Sequence, residues 1–108
     1  MHGFGEFFWP DGKRYSGYYE KDKKEGFGIY YWPDPLRVYL GFWKDGKQDG
    51  IGKYFNRDKS IKYGIWKNGE NIHLFPNQDY AINNLLPKQL KYKRFFKFSM
   101  DDILQYLS

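Results

Sequence analysis

At 108 residues the chain is one domain at most, and a chain this short buries only about 60 to 70 per cent of its unfolded surface. With no cysteine, a disulfide framework and a thiolate metal site are excluded, and the chain leans to the cytosol. Its formal net charge of +5 is spread along the chain, with 13 of 18 basic and 10 of 13 acidic residues lying up to Glu70, so it favours anionic partners only weakly.

Aromatic residues make up 23% of the chain beside 12 glycines, at a mean hydropathy of −0.87. That balance argues against an aliphatic two-layer core and for a sheet whose rings pack on bare backbone. No apolar run approaches membrane-spanning length and no signal-peptide pattern opens the chain, so the chain reads as soluble.

From the start, Met1-His2-Gly3-Phe4-Gly5 aligns with Gln48-Asp49-Gly50-Ile51-Gly52. The chain therefore begins in the middle of a hairpin, and a first strand is expected upstream in a longer protein. Next come two complete units, Tyr15 to Leu36 and Tyr39 to Ile61, followed by a partial one. The anchoring glycines Gly17, Gly41 and Gly64 are 24 and 23 residues apart, which is the mark of a repeat architecture. Asp-Gly at Asp11-Gly12 and Asp45-Gly46 supplies positive φ for tight turns, and Pro33 and Pro35 stiffen the longer one.

Each unit reads as a β-hairpin, and period-two alternation separates its faces. Tyr15, Gly17, Tyr19, Gly26, Gly28, Tyr30 and Trp32 share one face, as do Tyr39, Gly41, Trp43, Gly50, Gly52 and Tyr54. Because glycine leaves the strand bare, a ring from the adjacent strand lies across it, and this face reads as the structural ladder. Tyr18, Phe27, Ile29, Tyr31, Leu40, Phe42, Ile51, Lys53 and Phe55 point the other way.

The frame Tyr-x-Gly-x-Trp, Gly-Lys turn, Gly-x-Gly resembles the MORN repeat over roughly the first 70 residues, as two full and two partial repeats. Asp22 stands at a turn-glycine position, Lys62 at a Tyr and Tyr19 at a Trp. The resemblance implies a mainly β fold, an elongated single-layer antiparallel meander of consecutive hairpins. It also implies a non-enzymatic interaction scaffold in the cytoplasm, at the cytoskeleton or the membrane periphery.

Residues 71–108 form an extension. Leu90, Tyr92, Phe96 and Phe98 alternate with Lys91, Lys93 and Lys97, Arg94 interrupting, which suits an edge strand with outward lysines. A helix beginning at Pro87 is the competing reading. Ser99-Met100-Asp101-Asp102 has the form of a helix N-cap. Met100, Ile103, Leu104 and Leu107 then give an apolar stripe, and so short a helix must dock, on the chain's own sheet as a short α-helical C-terminal cap in the favoured reading, or else on a partner. Asn77 to Leu86 gives a weaker helical signal.

Catalysis finds no support. His2 and His73 are far apart in the repeat frame, and no clustered nucleophile or metal-ligand set accompanies them. Gly41 to Gln48 imitates a phosphate loop, yet Gln48 replaces the Ser/Thr and a hairpin replaces the helix. The Gly-x-Gly pairs lack the third glycine of a dinucleotide site, and no cofactor is expected.

Two binding readings remain. In the first, the non-glycine face, Phe8, Tyr18, Phe27, Tyr31, Phe42 and Phe55, takes a protein partner, either a helix or a second copy of the module. In the second, Lys21, Lys23, Lys24, Lys44 and Lys47 in the turns, with Lys91, Lys93 and Arg94 in the extension, meet an acidic phospholipid surface such as phosphoinositide. Acidic residues among the turn lysines disfavour both that surface and a nucleic acid, which ranks third.

Overall fold

The computed structural model describes residues 2–108. Seven strands, β1 (Gly3–Phe8), β2 (Arg14–Glu20), β3 (Lys23–Pro33), β4 (Leu36–Lys44), β5 (Lys47–Phe55), β6 (Ile61–Lys67) and β7 (Glu70–Phe75), form one open antiparallel sheet in sequence order. The helices α1 (Gln78–Asn83) and α2 (Met100–Leu107) flank a 3₁₀ helix over Pro87–Lys97. The molecule is thus mainly β, a single-layer meander closed by short C-terminal helices, and it measures 36 × 31 × 23 Å.

Local turn chemistry sets the hairpins. Lys21 and Asp22, Asp45 and Gly46, and Asn68 and Gly69 form two-residue turns with both φ angles positive, from 51° to 84°. That turn's twist matches the strands it joins, and Asp22 substitutes for glycine because its short polar side chain tolerates the left-handed region.

Between the turns, Gly17 faces Gly28 and Gly41 faces Gly52, and one tyrosine ring lies across each pair. A Cβ on Gly52 would stand 2.6 Å from the Tyr39 ring, and one on Gly17 would stand 2.5 Å from the Tyr15 hydroxyl. Both rings run along their own strands. Their hydroxyls donate to carbonyls three residues on, Tyr15 to Tyr18 and Tyr39 to Phe42, at 3.1 Å each. Trp43 closes the rung by donating from Nε1 to the Gly28 carbonyl at 3.2 Å.

Beyond each rung the ladder slips. Tyr18 and Phe42 each face three residues of the next strand, and Gly26 and Gly50 sit in these bulges at φ 79° and 113°. Regular alternation would keep Gly50 on the ladder face, but the bulge turns it, so that its Cβ would meet the Phe42 side chain at 3.3 Å on the other. In the third unit, where Lys62 replaces the tyrosine, Asn71 Nδ2 donates to the carbonyls of Ile65 and His73 at 3.2 and 3.0 Å.

The segment from 88 to 98 is not the edge strand that its alternation suggests, because its governing period is three. Lys88, Lys91, Arg94 and Lys97 are exposed, while Tyr92, Phe95 and Phe98, also three apart, turn to the sheet. Three residues per turn is the 3₁₀ repeat, and Pro87 opens it with a preset φ. Asn77 caps α1 by accepting from the Tyr80 N–H at 2.9 Å. Ser99 and Asp102 cap α2 reciprocally, at 3.1 and 2.9 Å.

We predict that Gly52→Ala lowers unfolding stability by about 3 kcal/mol or more, since the tyrosine ring and facing backbone leave no room for the methyl group. Tyr39→Phe keeps the packing and loses only the hydroxyl bond, at a cost of about 1 kcal/mol. Urea denaturation of the two variants measures the difference.

Candidate partner-binding face

A single sheet has two faces, and this one treats them differently. On the first, Phe27, Ile29, Val38, Leu40, Phe42, Ile51 and Phe55 pack against Ala81, Leu85, Phe95, Phe96, Ile103 and Leu107 of the C-terminal segment. Tyr92 stacks on Phe27 at 4.5 Å with the rings 6° from parallel. Arg14 Nη1 donates to the Leu107 carbonyl at 3.3 Å, tying α2 to β2.

The sequence reading placed the partner here, and the chain's own tail occupies the place. Phe27, Phe42 and Phe55 are 5, 7 and 3% exposed, so in this arrangement none offers a free surface. Tyr31 is half-buried against the same cluster. Only Tyr18 and Phe8 emerge at the margin, Tyr18 edge-on to Tyr92 at 6.4 Å and Phe8 beneath the Arg14 guanidinium at 5.6 Å. The tail fits because its i, i+3 aromatic row and the stripe of α2 supply the apolar area the sheet lacks.

Lys53 fastens this cover. It is 2% exposed, and its Nζ donates to the carbonyls of Phe98 and Phe96 at 2.8 and 2.9 Å, and to Gln78 Oε1 at 3.2 Å. The two carbonyls belong to the end of the 3₁₀ helix, where backbone acceptors lack helical partners. Rings of Phe55 and Tyr63 lie 5.0 and 5.3 Å from the ammonium. Burial outweighs the favourable field of Asp102 and pulls the pKa of Lys53 from 10.5 down to about 8.

The opposite face carries the tyrosine–glycine rungs. Tyr15, Tyr39, Trp43 and Trp66 are buried in it, with Phe7, Tyr19, Tyr30, Trp32 and Tyr54 partly buried around them. Among the described residues, no side chain of the C-terminal segment joins this cluster. Tyr30 and Trp32 stack at 4.4 Å, Trp9 stacks on Tyr30 at 5.8 Å, and Tyr54 bridges Trp32 and Trp66 at 6.4 and 6.3 Å. The result is an uncovered row of half-exposed rings across β1, β2, β3 and β5.

Sequence reasoning treated these rings as ladder and looked elsewhere for the site. Alternation separates the faces but does not say which one the tail selects. The signal available was the tail's apolar content, which suffices for one face.

The basic residues also divide. Lys21, Lys23, Lys44 and Lys47 are exposed at the turns, beside Glu20, Asp22, Asp45 and Asp49. Lys24 is no rim lysine. It is half-buried, with Nζ 5.3 to 5.6 Å from the centres of Tyr15, Tyr30 and Trp43, and desolvation lowers its pKa. Lys91, Lys93 and Arg94 are exposed on the 3₁₀ helix, Lys91 over Tyr92 and Arg94 over Phe95.

The geometry defines a one-sheet β-repeat module with one closed and one open face. The family model for the MORN repeat matches residues 1–14, 15–34 and 39–60, more than half of the chain. The chain belongs to the MORN repeat family, a family of interaction modules. A search of curated proteins finds no match. Among the described residues, no group of three or more His, Cys, Asp or Glu is placed to hold a metal ion, and no helix is long and apolar enough to cross a membrane.

The buried lysine gives a pH signature. The unfolded chain keeps the Lys53 proton up to about 10.5, whereas the folded chain sheds it near 8. Between these values the unfolded state binds more protons, so stability rises with pH, by at most about 1.4 kcal/mol per unit. Lys24 adds in the same direction. Above the ordinary tyrosine value of 10.0 the trend reverses, because burial pushes Tyr15 and Tyr39 well above it. Urea midpoints are expected to climb from pH 8 to 10, and Lys53→Met removes the larger part of that climb.

Proposed function

We propose that this chain is a non-enzymatic protein-interaction module whose open aromatic face receives a partner. The observation that carries this reading is the asymmetry of the sheet. The chain's own tail covers one face over β3, β4 and β5 and leaves Phe4, Phe8 and Tyr18 exposed at its β1–β2 edge, and the other keeps Phe7, Trp9, Tyr19, Tyr30, Trp32 and Tyr54 half-exposed in a row. A contiguous exposed apolar patch with a polar rim is characteristic of a binding surface, and aromatic anchors carry much of the energy at such surfaces. The module acts as a scaffold within a larger assembly in the cytoplasm, at the cytoskeleton or the membrane periphery.

The test compares surface variants with matched folds. Trp32→Ser and Tyr54→Ser together are expected to abolish retention of partner proteins on immobilised module, with the melting curve little changed. Phe8→Ser and Tyr18→Ser, at the margin of the closed face, are expected to retain them. Retention that survives the first pair and is lost with the second would overturn the assignment of the face.

A second reading has its own observation. Lys88, Lys91, Arg94 and Lys97 form one outward row on the 3₁₀ helix, uninterrupted by an acidic residue, as adsorption to acidic phospholipid requires. Each such charge near an anionic bilayer contributes about 1 kcal/mol at most. Co-sedimentation with phosphoinositide vesicles that is lost in Lys91→Glu with Arg94→Glu would support it. Equal sedimentation of the variant would remove it.

A further inference from the structure

We infer that the partner taken by the open face is an acidic peptide segment. Its apolar side chains would lie along Tyr30, Trp32 and Tyr54, and its carboxylates would reach Arg37 and Lys62. The inference rests on the assignment of the open face as the binding surface.

Charge on that face carries the argument. Register places Lys24 opposite Tyr19, Arg37 opposite Trp32 and Lys62 opposite Tyr54, so three cations share the face with the rings. Among the strand residues one carboxylate, Asp49 of β5, acts on this face, where its charge adds to burial in raising the pKa of Tyr39, so the cations outnumber it. Asp11 and Asp49 stand at its ends, and Lys13 already pairs with Asp11 at 3.2 Å.

At the far turn the cations converge. Arg37, Arg57 and Lys62 line an open cleft of about 470 Å³ together with Asn56, Asp58 and Ser60. Its single carboxylate, Asp58, accepts through Oδ1 from the Ser60 hydroxyl at 2.6 Å and from its N–H at 2.9 Å and keeps its charge in the field of Lys62, so three cations against one anion leave the cleft basic. The guanidinium of Arg37 lies 5.0 Å over the Trp32 ring, so the basic cleft and the aromatic row are one surface. An occupant complementary to it presents anionic and apolar groups side by side.

Two other anionic occupants fit less well. A nucleic acid would need free ring faces for base stacking, and Trp32 already carries the Tyr30 ring and the Arg37 guanidinium against it. A bilayer would need cations on a projecting rim, whereas Lys24 lies down among the rings. A peptide chain can follow the rings and still reach the cleft.

The experiment selects peptides from a random displayed library on the full chain and measures the enriched ones, as synthetic probes, by fluorescence anisotropy. Enriched sequences combining Asp or Glu with apolar residues are expected. Arg37→Glu with Lys62→Glu should weaken them about tenfold or more, as like charges replace opposite ones at a binding surface. Arg37→Gln with Lys62→Gln should weaken them less, and Lys91→Glu with Arg94→Glu should leave them unchanged. Melting curves verify that each variant is folded.

Neutral or basic enriched peptides, or binding indifferent to the Arg37 and Lys62 changes, would overturn the charge inference while leaving the open face as the site. Binding to phosphatidylserine vesicles that is lost with those same two changes would overturn it in favour of a membrane. Failure to select any peptide, or binding untouched by Trp32→Ser, would overturn the assignment of the face and this inference with it.

Discussion

A tyrosine ring lying across two facing glycines sets the geometry of each complete repeat. The ring needs both glycines at once, because a Cβ on either strand would enter it, so strand pairing and ring packing are one interaction. Its hydroxyl then fixes the ring's direction by reaching the carbonyl three residues on. Glycine weakens a strand on its own, and here the ring returns the lost contact. The bulge that follows each rung turns Gly50 away from the ladder, so one short motif sets both register and curvature.

Because the rungs occupy only one face, the other must be covered from elsewhere. The C-terminal segment does this with two periodicities, three residues in the 3₁₀ helix and the wider helical stripe of α2, both aimed at the same cluster. Lys53 reconciles the cover with its polar backbone. Its position in β5 alternates with apolar neighbours, and its ammonium supplies donors to carbonyls at the end of the 3₁₀ helix. A charge at that depth costs desolvation, and its depressed pKa is the measure of that cost.

Rings on the open face therefore have two duties. Tyr15, Tyr39, Trp43 and Trp66 are buried and hold the ladder, while Tyr30, Trp32 and Tyr54 pack against them and remain half in water. Lys24 and Arg37 lie across ring faces, which shields apolar surface while keeping the charge available. An open face built this way stays solvated in the absence of a partner and has its anchors already placed for one.

The sequence by itself determined the repeat, the hairpins, the separation of the two faces and the caps of α2, because each is local. Gly17, Gly28, Tyr15 and the turn pairs act within a few residues or across one hairpin. It could not settle the 3₁₀ helix, since rows two and three apart overlap at Tyr92 and Phe98, and only Phe95 and Phe96 buried together decide between them. Nor could it assign the site. Phe42 and Trp32 are equally aromatic and equally periodic, and only the docking of the tail, a contact between residues more than forty apart in the chain such as Lys53 and Phe96, buries the first and leaves the second half-exposed. Tertiary structure decided which face closed, because the apolar area of one short tail suffices to cover one side of the sheet.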